Sequence, residues 1–219
     1  MKQWNEIFKE KGLVFLEPKK EIIKVAEIFI RNGVKKVLDL GCGSGRHVVY
    51  LAKKGFEIYG FDIAEEGIHL AKSWLRKEGL KANFSVGSIY ERMPFKDNFF
   101  DAVISTHSIH HGRIKDVRKA IREVYRVLKQ GGFIFINLRK RRIRKYDPKN
   151  KIIEKYGAQK VSYKMIAPRT YAPIEGGEKD LLHYLFNKKL IEKEFRMFRP
   201  KIWVSESGRH YNLLGKKEK

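Results

Sequence analysis

The stretch Val37-Leu38-Asp39-Leu40-Gly41-Cys42-Gly43-Ser44-Gly45-Arg46-His47 decides the fold of this chain. A short apolar run enters three glycines at alternate positions, and an amphipathic segment leaves them. Glycine lets the backbone turn tightly and approach a ligand that any side chain would block. The spacing is G-x-G-x-G with Arg46 next, so the dinucleotide pattern G-x-G-x-x-G is not met. Asp39, two residues ahead of Gly41, sets a carboxylate beside the ligand's path. That charge suits a cationic ligand and repels a pyrophosphate.

Outward from this turn, apolar runs and helical stripes alternate. Strands are predicted over 34–40, 57–61 (closing at Asp62), 83–86, 101–105 and 133–137, with helices over 46–54, 65–78 and 114–129. Two earlier helices are predicted over 4–11 and 18–31, the second with Ile22, Val25, Ala26, Phe29 and Ile30 on one stripe. A helix opening at Asn187 and strands over 195–204 and 210–214 close the chain, and 216–219 reads as a frayed tail. Strands alternating with helices at this spacing give right-handed crossovers. The predicted class is α/β: a doubly wound, mostly parallel seven-stranded sheet with helices on both faces and a C-terminal antiparallel hairpin. Residues 139–186, with Pro148, Pro168, Pro173 and Gly176-Gly177, show little periodicity and read as an irregular insertion.

Composition narrows the class. A chain of 219 residues fits one domain, and the single Cys42 excludes an internal disulfide framework and any cysteine-based zinc cluster. No apolar run reaches membrane-spanning length and the opening residues lack an apolar signal core, so a soluble, cytoplasmic protein is expected. The net charge of +23, from 48 Lys and Arg against 25 Asp and Glu, attracts polyanions. Lys-rich surfaces of this kind also mark heat-adapted proteins.

The phrases VLDLGCGSG (37–45) and YGFDIA (59–64) resemble motifs I and II of the Rossmann-like (class I) S-adenosylmethionine-dependent methyltransferases. The chain is similar to their small single-domain branch, which holds tellurite-resistance-type and other small-molecule enzymes. The resemblance covers 34–138 in detail and the final hairpin by topology. It implies S-adenosylmethionine as cofactor and S-adenosylhomocysteine as product, with 34–138 as the cofactor core, 1–33 as a cover, 139–186 on the substrate side and 187–219 as the final helix and hairpin. It implies a cofactor site from Asp39, Gly41, Cys42, Gly43, Gly45 and His47, then Asp62 and Ile63 after the second strand. Gly87, Ser88 and Ile89 follow the third strand, Ser105 and Thr106 the fourth, and Trp4 with Phe8 and Phe15 belongs to the cover. Asp62 can accept two hydrogen bonds from a ribose diol, and Ile63 can pack on adenine. The family usually has an acidic residue at Ser88; a neutral hydroxyl holds the adenine amino group less firmly.

Methyl transfer from a sulfonium is an in-line displacement, in which the protein aligns the nucleophile and excludes water. A base is needed only where the acceptor arrives protonated. His107, His110 and His111, directly after the fourth strand, are the candidates, with His183 placed to meet them. Alternatively, His111 caps the next helix. A loop reading H-x-x-H-H without carboxylates or cysteines has no secure ligand geometry, so no metal is expected. A small-molecule acceptor is the leading expectation. RNA is the alternative, guided by Arg139, Lys140, Arg141, Arg142, Arg144 and Lys145 on the rim and stacked on Tyr146, Tyr156, Tyr163 and Tyr171. A non-catalytic cofactor binder is a third reading, and monomer and dimer are both open.

Overall fold

Two helices, α1 (Lys2–Lys11) and α2 (Lys20–Arg31), precede β1 (Lys36–Leu40) in the computed structural model, which describes residues 2–141, 151–156 and 159–218. Then come α3 (Arg46–Lys53), β2 (Glu57–Asp62), α4 (Glu65–Lys77), β3 (Asn83–Val86), β4 (Phe100–Thr106), α5 (Ile114–Val127) and β5 (Leu128–Arg139). Beyond these lie β6 (Lys151–Tyr156), β7 (Gln159–Ala167), β8 (Thr170–Pro173), β9 (His183–Tyr184), α6 (Lys188–Glu194), β10 (Lys201–Val204) and β11 (His210–Lys216).

Seven strands form one sheet in the order β10-β11-β5-β4-β1-β2-β3. β1 to β5 run parallel, and β11 pairs antiparallel with both β5 and β10. This is the doubly wound α/β sheet with a closing hairpin that the sequence predicts. Side-chain alternation along β1 explains the two faces. Val37 joins the core layer that holds Ile22, Phe29, Val48 and Leu51, from α2 and α3. Leu38 and Leu40 join the layer that holds Val117, Ile121, Val124 and Ile191, from α5 and α6. Each such side chain, fully buried, contributes about 1.5–3 kcal/mol.

Polar staples fix the frame at the edge away from the glycine turn. Asp101 accepts hydrogen bonds from the backbone N–H groups of Lys35 (3.1 Å) and Lys36 (2.8 Å) and from Lys129 Nζ (2.6 Å). Lys217 is buried rather than frayed: its Nζ donates to Asn98 Oδ1 and to the carbonyls of Tyr125 and Leu128, all within 2.9 Å.

Several other expectations need correction. Within 139–186, where an irregular insertion is expected, β6 to β9 of the described residues form a second, four-stranded antiparallel sheet. Ile30 leaves the α2 stripe and is 53% exposed. β5 begins at Leu128 rather than 133, because a register shift between Phe100 and Ala102 absorbs the Gly131 turn. Phe195 and Phe198 belong to a helical end and a 3-10 turn, not to a strand. Three residues apart, both rings reach the core from one side of that turn.

Candidate functional site

The chain winds outward from β1 through β2 and β3 on one side and through β4 and β5 on the other, so strand order reverses between β1 and β4. Ligands of open α/β sheets bind beyond the strand ends at such a reversal. Here Gly41 meets Ser108 across it. Ser108 Oγ donates to the Gly41 carbonyl at 3.3 Å and fills the place a Cβ on Gly41 would take. Gly45 has φ +88°, and an added Cβ would lie 2.6 Å from the Ala71 Cβ, so α3 starts tight against α4.

Asp62 holds this turn. Its Oδ2 accepts from Gly43 N at 2.8 Å and its Oδ1 from Ala64 N at 2.9 Å, at the start of α4. Burial pushes its pKa up, opposed by those backbone bonds. A carboxylate has about four acceptor sites, so lone pairs remain for a ligand diol. Asp39 differs: it is 1% exposed, and neither oxygen has a hydrogen-bond donor among the described residues. Burial first, and the charge of Asp62 as well, push its pKa up to about 7 against the pull of Arg46. His47 Nε2 faces the Lys19 N–H at 3.4 Å, so its proton is assigned to Nδ1, which faces Thr106 Oγ1 at 3.5 Å. Burial keeps that ring neutral.

One cleft is lined by Trp4, Gly41, Cys42, Gly43, His47, Asp62, Ile63, Ser88, Ile89 and Thr106 among the expected cofactor residues. Asp39, Gly45, Gly87 and Ser105 are not on its wall. Asp39 sits inside the sheet in register with Gly60 and Ile104. Gly45 packs on Ala71, and Gly87 bonds through its N–H to the Asp62 carbonyl. Ser105 Oγ donates to the Leu40 carbonyl at 2.8 Å, which ties β4 to β1. The wall also includes Ser44 and Arg46 of the glycine stretch, which are not among the expected site residues, and Tyr90, Ser108 and Leu181, which no motif marked. Phe8 and Phe15 line it too, and α1 docks through the buried Phe8 and through Asn5 Oδ1, which accepts from Glu66 N at 2.9 Å.

His107 and His111 line the cleft, while His110 and His183 stand behind it. The Tyr184 N–H donates to the His110 carbonyl at 2.7 Å, and this bond carries His183 to the loop after β4. Ring centroids are 4.5 Å apart for His110 and His111 and 4.7 Å for His111 and His183. His210, from β11, meets His107 at 4.4 Å and carried no local signal in the sequence. Burial pushes all five imidazoles down, His111 to about 4 and His210 to about 3, with His107, His110 and His183 well below the usual range. All are neutral at pH 7. His111 does not cap α5: Asp116 Oδ2 accepts from the N–H of Arg113, the capping residue, at 3.3 Å.

The basic run is not a continuous rim. Arg139 is 8% exposed and donates to Tyr163 Oη at 3.1 Å. Lys140 Nζ lies 5.4 Å from the Tyr211 ring centroid, and Arg141 is exposed. Arg142, Arg144, Lys145 and Tyr146, and the side chain of Tyr156, fall outside the described residues. Tyr163 and Tyr171 are buried, which removes them as stacking platforms.

The doubly wound sheet, its glycine turn and the acidic residues Asp39 and Asp62 beside it resemble the arrangement of the Rossmann-like methyltransferases. Residues 38–136 match the family described as the methyltransferase domain. The uncharacterized methyltransferase YcgJ of Bacillus subtilis (strain 168) is 32% identical over 137 residues, 62% of this chain and 49% of that one. Ajmaline N-methyltransferase of Rauvolfia serpentina is 37% identical over 105 residues, 47% of this chain and 35% of that one. The crystal structure of an S-adenosylmethionine-dependent methyltransferase from Clostridium acetobutylicum ATCC 824 matches with a TM-score of 0.69 and 17% identity, over 100% of this chain and 99% of that one. The chain is thus similar to the methyltransferase domain over residues 38–136 and shares the fold of a solved S-adenosylmethionine-dependent methyltransferase. It spans about half the length of the first curated relative and about a third of the second.

Proposed function

We propose that the chain transfers the methyl group of S-adenosylmethionine to a small-molecule acceptor. The observation that carries this reading is the cleft at the strand-order reversal, walled by Gly41, Gly43, Asp62, Ile63 and Ser88, with the Asp39 carboxylate behind its glycine turn. A buried anion without a donor fits a cationic amino-acid end, and Asp62, Ser88, Ile63 and Ile89 fit a ribose and an adenine. The bound cofactor supplies a methyl group on a sulfonium, open to in-line displacement. The protein's part is to position the acceptor and exclude water. Trp4, Phe8 and Leu181 supply apolar walls for that exclusion, and Trp4 packs edge-on to His111 at 5.8 Å.

The covered cleft and the burial of Arg139, Tyr163 and Tyr171 favour a small acceptor over RNA. The likeness to ajmaline N-methyltransferase, named for a small alkaloid, supports the same class. The test incubates the chain with methyl-labelled S-adenosylmethionine against small-molecule fractions and, in parallel, against unmodified tRNA. Label in a small-molecule product is expected. Label confined to tRNA overturns the acceptor class, and failure to bind S-adenosylmethionine overturns the whole reading.

A further inference from the structure

Three of the histidines are better placed as ligands than as bases. His110 and His111 leave the end of β4, and His183 opens β9, held against them by the Tyr184–His110 backbone bond. One ring nitrogen from each lies within 4.8 Å of the other two. Among the described residues, Nδ1 of His110, of His111 and of His183 is buried without a hydrogen-bond partner, His183 Nε2 has only Glu178 Oε2 at 3.4 Å, and the His111 ring also bonds to the backbone of His107 and Leu182. Buried imidazoles that serve only packing normally satisfy their nitrogens, because an unpaired polar atom in the interior costs about 1–3 kcal/mol.

We propose that His110, His111 and His183 bind one divalent transition-metal ion, with zinc the best fit, beside the acceptor end of the cleft. Neutral imidazole is the ligand form, and three imidazoles with an open fourth position is a known arrangement for zinc. Zinc–nitrogen bonds of about 2.0–2.1 Å place tetrahedral ligand atoms about 3.4 Å apart, so the rings must draw in by about 1.4 Å at most. Ring rotation about χ1 and χ2 covers that distance. The surroundings are mixed in charge. Arg139 bears on His111 and His183 and opposes a cation. Glu178 Oε2, 3.4 Å from His183 Nε2, offsets it. His111 also lines the cleft, so an ion held by the trio borders the acceptor. An acceptor hydroxyl, thiol or amine is the class of group that can fill its open position. This site stands independently of the methyl-transfer reading, since binding requires no cofactor.

The experiment strips the untagged 219-residue chain with a chelator and titrates it with Co2+ in the absence of S-adenosylmethionine. Visible absorption follows binding, and Zn2+ is then added to displace the cobalt. One equivalent of low-symmetry Co2+, displaced by Zn2+, is expected. His111→Asn and His183→Asn should each weaken binding by at least about 100-fold, the upper end of what changes behind a ligand cost. His210→Asn should leave it unchanged. Calorimetry of S-adenosylhomocysteine binding to His183→Asn and His210→Asn, whose rings stand off the cleft wall, reports whether the fold survives, with unchanged binding expected, and thermal melting reports it for His111→Asn. A wild-type protein that shows no cobalt spectrum overturns the site. So does an equal loss in His210→Asn, which would trace binding to imidazoles at large.

Discussion

Asp39 Oδ2 on β1 and His47 Nδ1 on α3 stand 3.9 Å apart in the interior, too far for a hydrogen bond and with the imidazole neutral. The carboxylate therefore lacks a hydrogen-bonded partner and has only the field of Arg46 against its burial, so its protonation is coupled to any further cation that approaches.

That coupling sets a pH dependence. The folded-state pKa of Asp39 is raised from 3.8 to about 7. Its stabilising contribution is thus fully present below the unfolded value and is lost as pH rises toward 7. An arriving ammonium favours the carboxylate, so cofactor binding should release a proton below about pH 7. Affinity should rise with pH to about 7 and fall past about 8, where an α-amino group loses its charge. Calorimetry at pH 6 in two buffers of different ionisation enthalpy measures the released proton. Asp39→Asn should abolish it, and a release that survives in Asp39→Asn would assign the effect elsewhere.

Asp62 has a double duty, because the carboxylate that would hold a ribose also orders the turn. Asp62→Ala should weaken S-adenosylhomocysteine binding by about 1.5–3 kcal/mol, roughly 10- to 150-fold. The same change should lower the melting temperature, since the Gly43 and Ala64 N–H groups lose their acceptor. Unaltered melting together with unaltered affinity would leave Asp62 without either role.

Gly45→Ala combines left-handed strain of about 1–2 kcal/mol with overpacking on Ala71 of about 1–3 kcal/mol. Urea unfolding should show a loss of about 2–5 kcal/mol. Adding Ala71→Gly should recover the overpacking share and leave the strain. A single variant as stable as the parent would show that α3 can shift freely on α4.

The basic run separates surface from interior. Arg141 is exposed and Arg139 buried, so only Arg141→Ala should flatten the salt dependence of any RNA binding, by up to about 0.9 log units per contact. Arg139→Ala should instead lower stability by removing a donor from Tyr163. Filter binding across a salt series reads the first, and thermal melting the second.

The glycine-turn half of the cleft is legible in the sequence because its residues are local. The glycines, Asp62 and the His107–His111 loop each follow a strand end within a few residues. Asp39 was legible as a charge but not in its placement, since its register beside Gly60 and Ile104 arises from pairing. The second sheet was hidden for physical reasons. A bulge between Met165 and Ala167 breaks the two-residue period, Pro168 and Pro173 sit at strand boundaries, and β9 is two residues long. His183 and His210 reach the site only through tertiary pairing, which no spacing encodes.

The small core of the second sheet has a thermodynamic consequence. Its buried apolar cluster among the described residues is Tyr163, Tyr171 and Leu185, against two full layers around the main sheet. Segments with so few apolar contacts open at lower free energy than the body they sit on. Amide hydrogen exchange should therefore divide the chain into two cooperative units, with 159–184 losing protection first and β1, β4 and β5 last. His183 departs with the first unit. The acceptor side can thus be remade, during a turnover or across evolution, while the Asp39–Asp62 half stays folded.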